Sequence, residues 1–377
     1  MCQLLSSITM DLWTPILPAG QLHRHFVALL NPQRAAERRL MQQWADGMPD
    51  RDGKLIQEFQ STFNSTFWEL YLHAVFREYQ FSLDWSHPAP DYQVFTPYGS
   101  FCVEAVTANS AQGKAQEWEK GAHDYVRDPG TRQFGALNKE GMVRISNALL
   151  RKLRAFRAKY SSHDHVKGKP FVVALAPFEQ PNFQHQYDRP IRAVLYDQYV
   201  DEDAFFRDPS KYPDGHPPTV NLGFVEKENG SQIPLGVFND DQWQEVSAVL
   251  FSCTATMGKV DMLCTDSSLH ALGMSVWGGK PNGAAYERTG TRQEIGETLT
   301  DGLQVYHNPY ARYPLDPRVF RRPGVVQHYY CHDREDWFFE ELDNCLQIRG
   351  AVLCSPKPFP AHFSRMNVLR AGSSANP

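Results

Sequence analysis

PAPDYQVFTPYGSFCVEA, residues 88–105, holds two short apolar and aromatic runs around Pro97, Tyr98 and Gly99. That punctuation predicts two strands, DYQVF (91–95) and SFCVEAV (100–106), joined by a tight turn. Two carboxylates interrupt the pattern: Asp91 at the outer end of the first strand and Glu104 near the end of the second. An ionised carboxylate taken out of water is costly unless something compensates it. Counting outward from Tyr98, Asp91 lies seven residues back and Glu104 six residues forward, so a hairpin centred there sets them nearly opposite each other. Directly opposed residues have Cβ atoms ~5 Å apart, and like charges at that spacing repel. A divalent cation between them turns repulsion into attraction, because magnesium and calcium prefer hard oxygen ligands. Without one, a carboxylate of the pair keeps its proton to a raised pH. The plainer reading of Asp91 is a turn-flanking residue after Pro90.

Working outward, Phe59, Phe63, Phe67, Leu70 and Ala74 recur at helical spacing and predict one helix from Leu55 to about Tyr79. Glu69, in STFWELYLHAVF, sits on the flank of that stripe, placed to reach past the helix edge toward the sheet, with His73 one turn further along. Thr66-x-x-Glu69 also matches a capping box, in which the Glu bonds back to the helix start. FSLDW (81–85) predicts a further strand, making an antiparallel meander of three. A Gly-, Gln- and charge-rich stretch (109–137) reads as a loop, and KEGMVRISNALLRKLRAFRAKY as a helix with Met142, Ile145, Leu149, Leu153 and Phe156 on one stripe. KPFVVALAP (169–177) is apolar throughout and predicts a strand buried on both faces. A helix around RPIRAVLYDQYV (189–200), a hairpin turning at Asn229–Gly230 and a buried strand in VSAVLFSC (246–253) follow. DREDWFFEELDNCL reads as a charged helix, and the tail AGSSANP as disordered.

The 377 residues are 42% hydrophobic, enough for a sizeable core. Lys and Arg total 38 against 43 Asp and Glu, a formal net charge of −5, which excludes a chain-wide basic surface and leaves any nucleic-acid partner a local patch. Seven scattered cysteines, Cys2 among them, show no CxxC pair and no zinc spacing, as expected of reduced thiols in a cytoplasmic protein. The N-terminus has no secretory pattern and no apolar run is long enough for a membrane span, so no membrane association is expected.

The order helix, three strands, helix, strand, with Pro90–Asp91, twelve intervening residues and Glu104 on an apolar strand, resembles the PD-(D/E)XK restriction-endonuclease-like superfamily. A helical Glu often accompanies that pair, as Glu69 would here. The resemblance covers roughly residues 55–200 and implies an α/β fold with a restriction-endonuclease-like core; with long insertions that core is expected to span 55–265, after an N-terminal helical arm (1–54) and before a C-terminal extension (266–377) packed on it. It further implies Asp91, Glu104 and Glu69 as ligands for magnesium or manganese and hydrolysis of phosphodiesters in DNA, less expected in RNA. The family's lysine belongs two residues after Glu104, where this chain has Val106. A lysine supplied from the next helix is known for the fold, and Lys152 is the candidate, ahead of Lys114, Lys120 and Lys139.

Residues 151–169 carry seven Lys or Arg against the single acid Asp164; Arg151, Arg154, Arg157 and Lys159 are the expected nucleic-acid contacts, weighed against a merely solvated helix face. Arg318, Arg321 and Arg322 form a second, weaker patch. His163 and His165 read as a polar linker ahead of metal ligands, and HNPYARYPL (307–315) as a structured loop whose tyrosines pack, ahead of stacking on bases. Val106 leaves two competitors open: a nuclease-derived module that binds nucleic acid or protein without cleaving, and a metal-free carboxylate-pair hydrolase of glycosidase type.

Overall fold

Six consecutive apolar residues have no polar face to offer water, and the chain buries Phe171–Ala176 completely, in the middle of an eight-stranded mixed sheet. In this computed structural model, residues 10–108, 110, 113–119, 134–178, 180–279, 285–340 and 343–354 are described. Cys2, Lys120, most of the 109–133 stretch and the tail AGSSANP lie outside them.

The sheet runs β1 (Ser82–Asp84), β2 (Tyr92–Thr96), β3 (Gly99–Thr107), β4 (Phe171–Ala176), β5 (Ala248–Phe251), β6 (Gln304–His307), β7 (Val326–Cys331) and β8 (Asp336–Glu340), in that spatial order. The first three form the expected antiparallel meander; β3, β4 and β5 are parallel; β6 and β7 are parallel to each other. In the β2–β3 hairpin Tyr92 pairs with Val103 and Thr96 with Gly99. Gly99 holds φ at +121°, a conformation that only glycine adopts freely, which is what keeps the turn this short.

Helices cover both faces of this meander. Phe76, on α2 (Phe63–Glu78), packs against Tyr92 and Phe101 with ring centroids 5.2 and 6.4 Å apart. Phe171 pairs in register with Cys102, so it faces the side opposite Phe101, and there Phe156 stacks on it at 4.1 Å. Phe156 directly follows α3 (Phe134–Ala155), whose stripe Met142, Ile145, Leu149 and Leu153 is buried as its spacing requires. On the other helix Trp68 is fully buried and donates from Nε1 to the Ala174 carbonyl at 3.0 Å, tying α2 to β4.

Several expectations need correction. The helix from Leu55 is two helices, α1 (Leu55–Ser61) and α2, because Ser61 and Thr62 turn their hydroxyls back onto the Gln57 and Glu58 carbonyls and Thr62 leaves helical geometry. DREDWFFEELDNCL is no helix: its centre is strand β8, antiparallel to β7. Alternation overrides the helix-forming acids there, with Trp337 and Phe339 both against the His328 ring while Phe338 stacks on Tyr329. The boundary at 265 does not mark an edge of the core, since β6, β7 and β8 come from beyond it and complete the same sheet. The N-terminal segment carries the helices Arg24–Leu29 and Ala35–Ala45, and its Leu12, Phe26, Met41 and Trp44 belong to the main buried cluster. The remaining strands near the C-terminus, His270–Trp277, Tyr286–Thr291 and Leu346–Cys354, form a separate three-stranded sheet. The Asn229–Gly230 hairpin forms as expected, pairing Glu226 with Gln232. Among the described residues no helix is long and apolar enough to cross a membrane.

Trp68→Ala removes a large buried ring and its hydrogen bond, and is expected to cost about 3–5 kcal/mol in denaturant-induced unfolding. Leu222→Ala, at an exposed position, should change the same unfolding free energy by less than about 0.5 kcal/mol.

Candidate functional site

Continuing the β2–β3 register one residue past Tyr92 and Val103 brings Asp91 opposite Glu104. Asp91 closes the end of the ladder itself: its Oδ2 accepts the Ala105 N–H at 2.8 Å. Glu104 alternates away from Phe101 and Val103 onto the face covered by α3, and it is 6% exposed. From the last turn of α3, Lys152 Nζ donates to Glu104 Oε1 at 2.8 Å. The other oxygen, Oε2, is buried with no hydrogen-bond partner. Glu69 approaches from α2, which the Tyr92 hydroxyl fastens to the strand by donating to the Glu69 carbonyl at 2.7 Å. Thr66 lies inside α2, not at its start, so it does not cap the helix with Glu69.

The three acids share too little positive charge. Burial, and after it the charge of Glu104, pushes Asp91 up to about 6, against the opposing pull of Lys152, the Ala105 N–H and Arg51. Burial, and after it Asp91, pushes Glu69 up to about 8, with Lys152 and Arg51 again opposing. Two groups that the sequence reading did not single out belong here. Arg51, from the loop before α1, donates to the His87 carbonyl at 3.0 Å and lies over the Trp85 ring. Tyr160 ends a π-helical turn, Phe156–Tyr160, that prolongs α3; burial, with the charges of Glu104 and Asp91, raises its hydroxyl to about 12. Neither carries a motif. The only sequence signal for Tyr160 is that it follows Lys152 on the same helical stretch, and a widened turn is invisible to a 3.6-residue count.

Among the described residues no group of three or more His, Cys, Asp or Glu side chains is arranged to hold a metal ion. The opposed pair Asp91 and Glu104 nonetheless fits a hard dication of the magnesium kind. Such an ion takes one or two protein carboxylates and fills its other positions with water and substrate oxygens. Glu104 Oε2, buried without a hydrogen-bond partner, and two neighbouring acids held above their ordinary pKa are compatible with a positive charge bound there. Glu69 stands close enough to feel the charges of Asp91, Lys152 and Arg51.

The other expected residues fall into two groups. Arg151, Arg154, Arg157 and Lys159 are all exposed along and just beyond the end of α3, although Arg157 is engaged by Glu245 and the Gln242 carbonyl. The second patch is neutralised: Arg318 pairs with Asp316, Arg321 with Glu340 and Arg322 with Glu78. His73 turns to the Trp44 carbonyl, not to the acids. His165 stacks on His87 at 3.8 Å and meets the Ala89 carbonyl at 2.9 Å, so the polar linker is pinned to the start of the hairpin. Lys114 pairs with Glu228, and Tyr310 and Tyr313 are half-exposed where packing was expected. Comparison with protein-family models, with curated proteins and with solved structures returns no match for the chain.

The raised acids set a pH dependence. Each binds its proton more tightly folded than unfolded, so folding stability falls as pH rises, between 3.8 and about 6 through Asp91 and between 4.5 and about 8 through Glu69. Urea midpoints of the metal-free protein should therefore decline across that window. Glu69→Gln should flatten the upper half of the decline, and added magnesium should oppose it in wild type but not in Asp91→Asn.

Proposed function

We propose that the chain is a magnesium- or manganese-dependent phosphodiesterase acting on nucleic acid, DNA before RNA, with a site of the PD-(D/E)XK kind. One observation carries the reading: Lys152 reaches Glu104 from α3 and supplies the ammonium that Val106 does not. Asp91 and Glu104 would hold the ion, with Glu69 as a neighbouring acid able to bind or relay a proton. A dication bound there lowers the pKa of a coordinated water and offsets charge growing on the phosphorus oxygens. Lys152 would hold Glu104 oriented and place a positive charge beside the scissile phosphate. Tyr160, with a hydroxyl that stays protonated at neutral pH, would donate to Glu104 or to a phosphate oxygen. The exposed Arg151, Arg154 and Lys159 extend from the same helix and would take the phosphates flanking the cut.

Purified protein with plasmid and manganese is expected to nick or linearise the substrate, and EDTA to stop it. Asp91→Asn and Glu104→Gln should each lower the rate at least about 100-fold, and Lys152→Met by about 100-fold with partial recovery in Lys152→Arg. Binding that survives chelator with no cleavage of any nucleic acid would favour a module that has lost its chemistry. Hydrolysis that survives chelator would point to two acids working without metal.

A further inference from the structure

α2 also lines a cavity on its other side. At about 100° per residue, Phe63, Asn64 and Phe67 project from the side of the helix opposite Glu69. There they line a cavity of about 260 Å³, closed by Phe178 and Phe183 from the segment after β4, by Thr256 and Met257, and by Arg349–Ala351 of the separate three-stranded sheet. Pockets between such independently packed layers are common ligand sites, and this one is smaller than a drug-sized site.

Its polar groups are buried and specific. Asn64 is 9% exposed, and its Nδ2 has no hydrogen-bond partner. Arg349 is 6% exposed; its Nη2 donates to the Thr254 carbonyl and lies 3.3 Å from Thr256 Oγ1, and its Nε faces Glu297 at 3.1 Å. Gly258 leaves the room for that guanidinium, since a Cβ there would fall 1.9 Å from Arg349 Nη1. Gln184 adds a second carboxamide, and His25, paired with Glu117, completes the wall.

The fixed cations are met without a ligand: Arg349 and the buried Lys259 face Glu297 and Asp301, and Glu117 pairs with His25. An anion would find no uncompensated cation. A neutral ligand is favoured, planar enough to lie among four phenylalanines and carrying donors beside acceptors to meet two carboxamides and a hydroxyl. Carboxamides recognise base edges in this way, one group donating and accepting at once, and aromatic side chains supply the stacking surface.

We infer that this cavity binds a nucleobase, either as a free base or nucleoside or as one base of a single strand. The inference does not rest on the phosphodiesterase reading, because it shares with that site only the helix between them.

Thermal unfolding of the full chain, monitored with adenosine, guanosine, cytidine, uridine and the corresponding free bases at millimolar concentration, tests it. Short homo-oligonucleotides serve as the second source and benzoate as an aromatic anion. At least one base-bearing probe should raise the melting temperature while benzoate does not. Calorimetric titration with that probe should show affinity lowered about tenfold or more in Gln184→Ala, whose half-buried position tolerates truncation, and likewise in Asn64→Ala. Stabilisation by an oligonucleotide alone, lost in the same variants, would assign the base to a strand. No shift with any base-bearing probe, equal stabilisation by benzoate, or affinity unchanged in both variants would overturn the inference. EDTA and Asp91→Asn should leave the binding unaltered, which separates this site's failure from that of the acidic site.

Discussion

The site depends on the register of one hairpin. Because Tyr92 pairs with Val103, Asp91 falls opposite Glu104, on a strand flanked by helices on both faces. A slip of one residue would turn Glu104 to the other side of the sheet, into the layer of Phe76 and Phe101. Gly99 fixes the turn from one end and the Asp91 to Ala105 hydrogen bond fixes the ladder from the other. The acids are thus held together by backbone geometry before any charge interaction between them is counted, which is why they stay close despite their repulsion.

The surroundings then decide how that repulsion is met. Lys152 answers one oxygen of Glu104, and Arg51 contributes from a loop, but Asp91 and Glu69 remain above their ordinary pKa. A half-buried cluster with more acid than base gives up stability for a capacity to accept positive charge. One buried acid elsewhere is met more fully: Asp188 faces both Arg189 and Arg192 and is held below its usual range. Asp261, with Arg34 as its near partner, is instead pushed up to about 6 by burial.

Much of this was legible in the sequence, for reasons that can be named. The apolar run in KPFVVALAP, the stripe of α3 and the turn at Pro97–Gly99 each rest on strictly local patterns, and each forms where expected. Lys152 was legible as a candidate only because the strand position held Val106; its bond to Glu104 is a tertiary fact. Arg51 and Tyr160 were not legible, since one comes from an irregular loop and the other from a widened helical turn. DREDWFFEELDNCL misled because acidic residues favour helices in isolation, whereas a neighbouring strand rewards alternating aromatics. The second basic patch misled because charge counted along the chain takes no account of Glu78, Asp316 and Glu340, which fold against it.

The strand order carries a consequence for how the molecule is made. β5 is wholly buried, yet its outer neighbour β6 lies more than fifty positions further along the chain, at Gln304–His307. During synthesis the ribosome must deliver all of that intervening length before β5 acquires its second neighbour. Until then the nascent sheet presents an open row of amide and carbonyl groups on a greasy strand, the kind of rim that recruits other chains. A fragment ending at 265 would keep every acid of the hairpin and carry that rim permanently, so the motif-bearing region is not a separable unit.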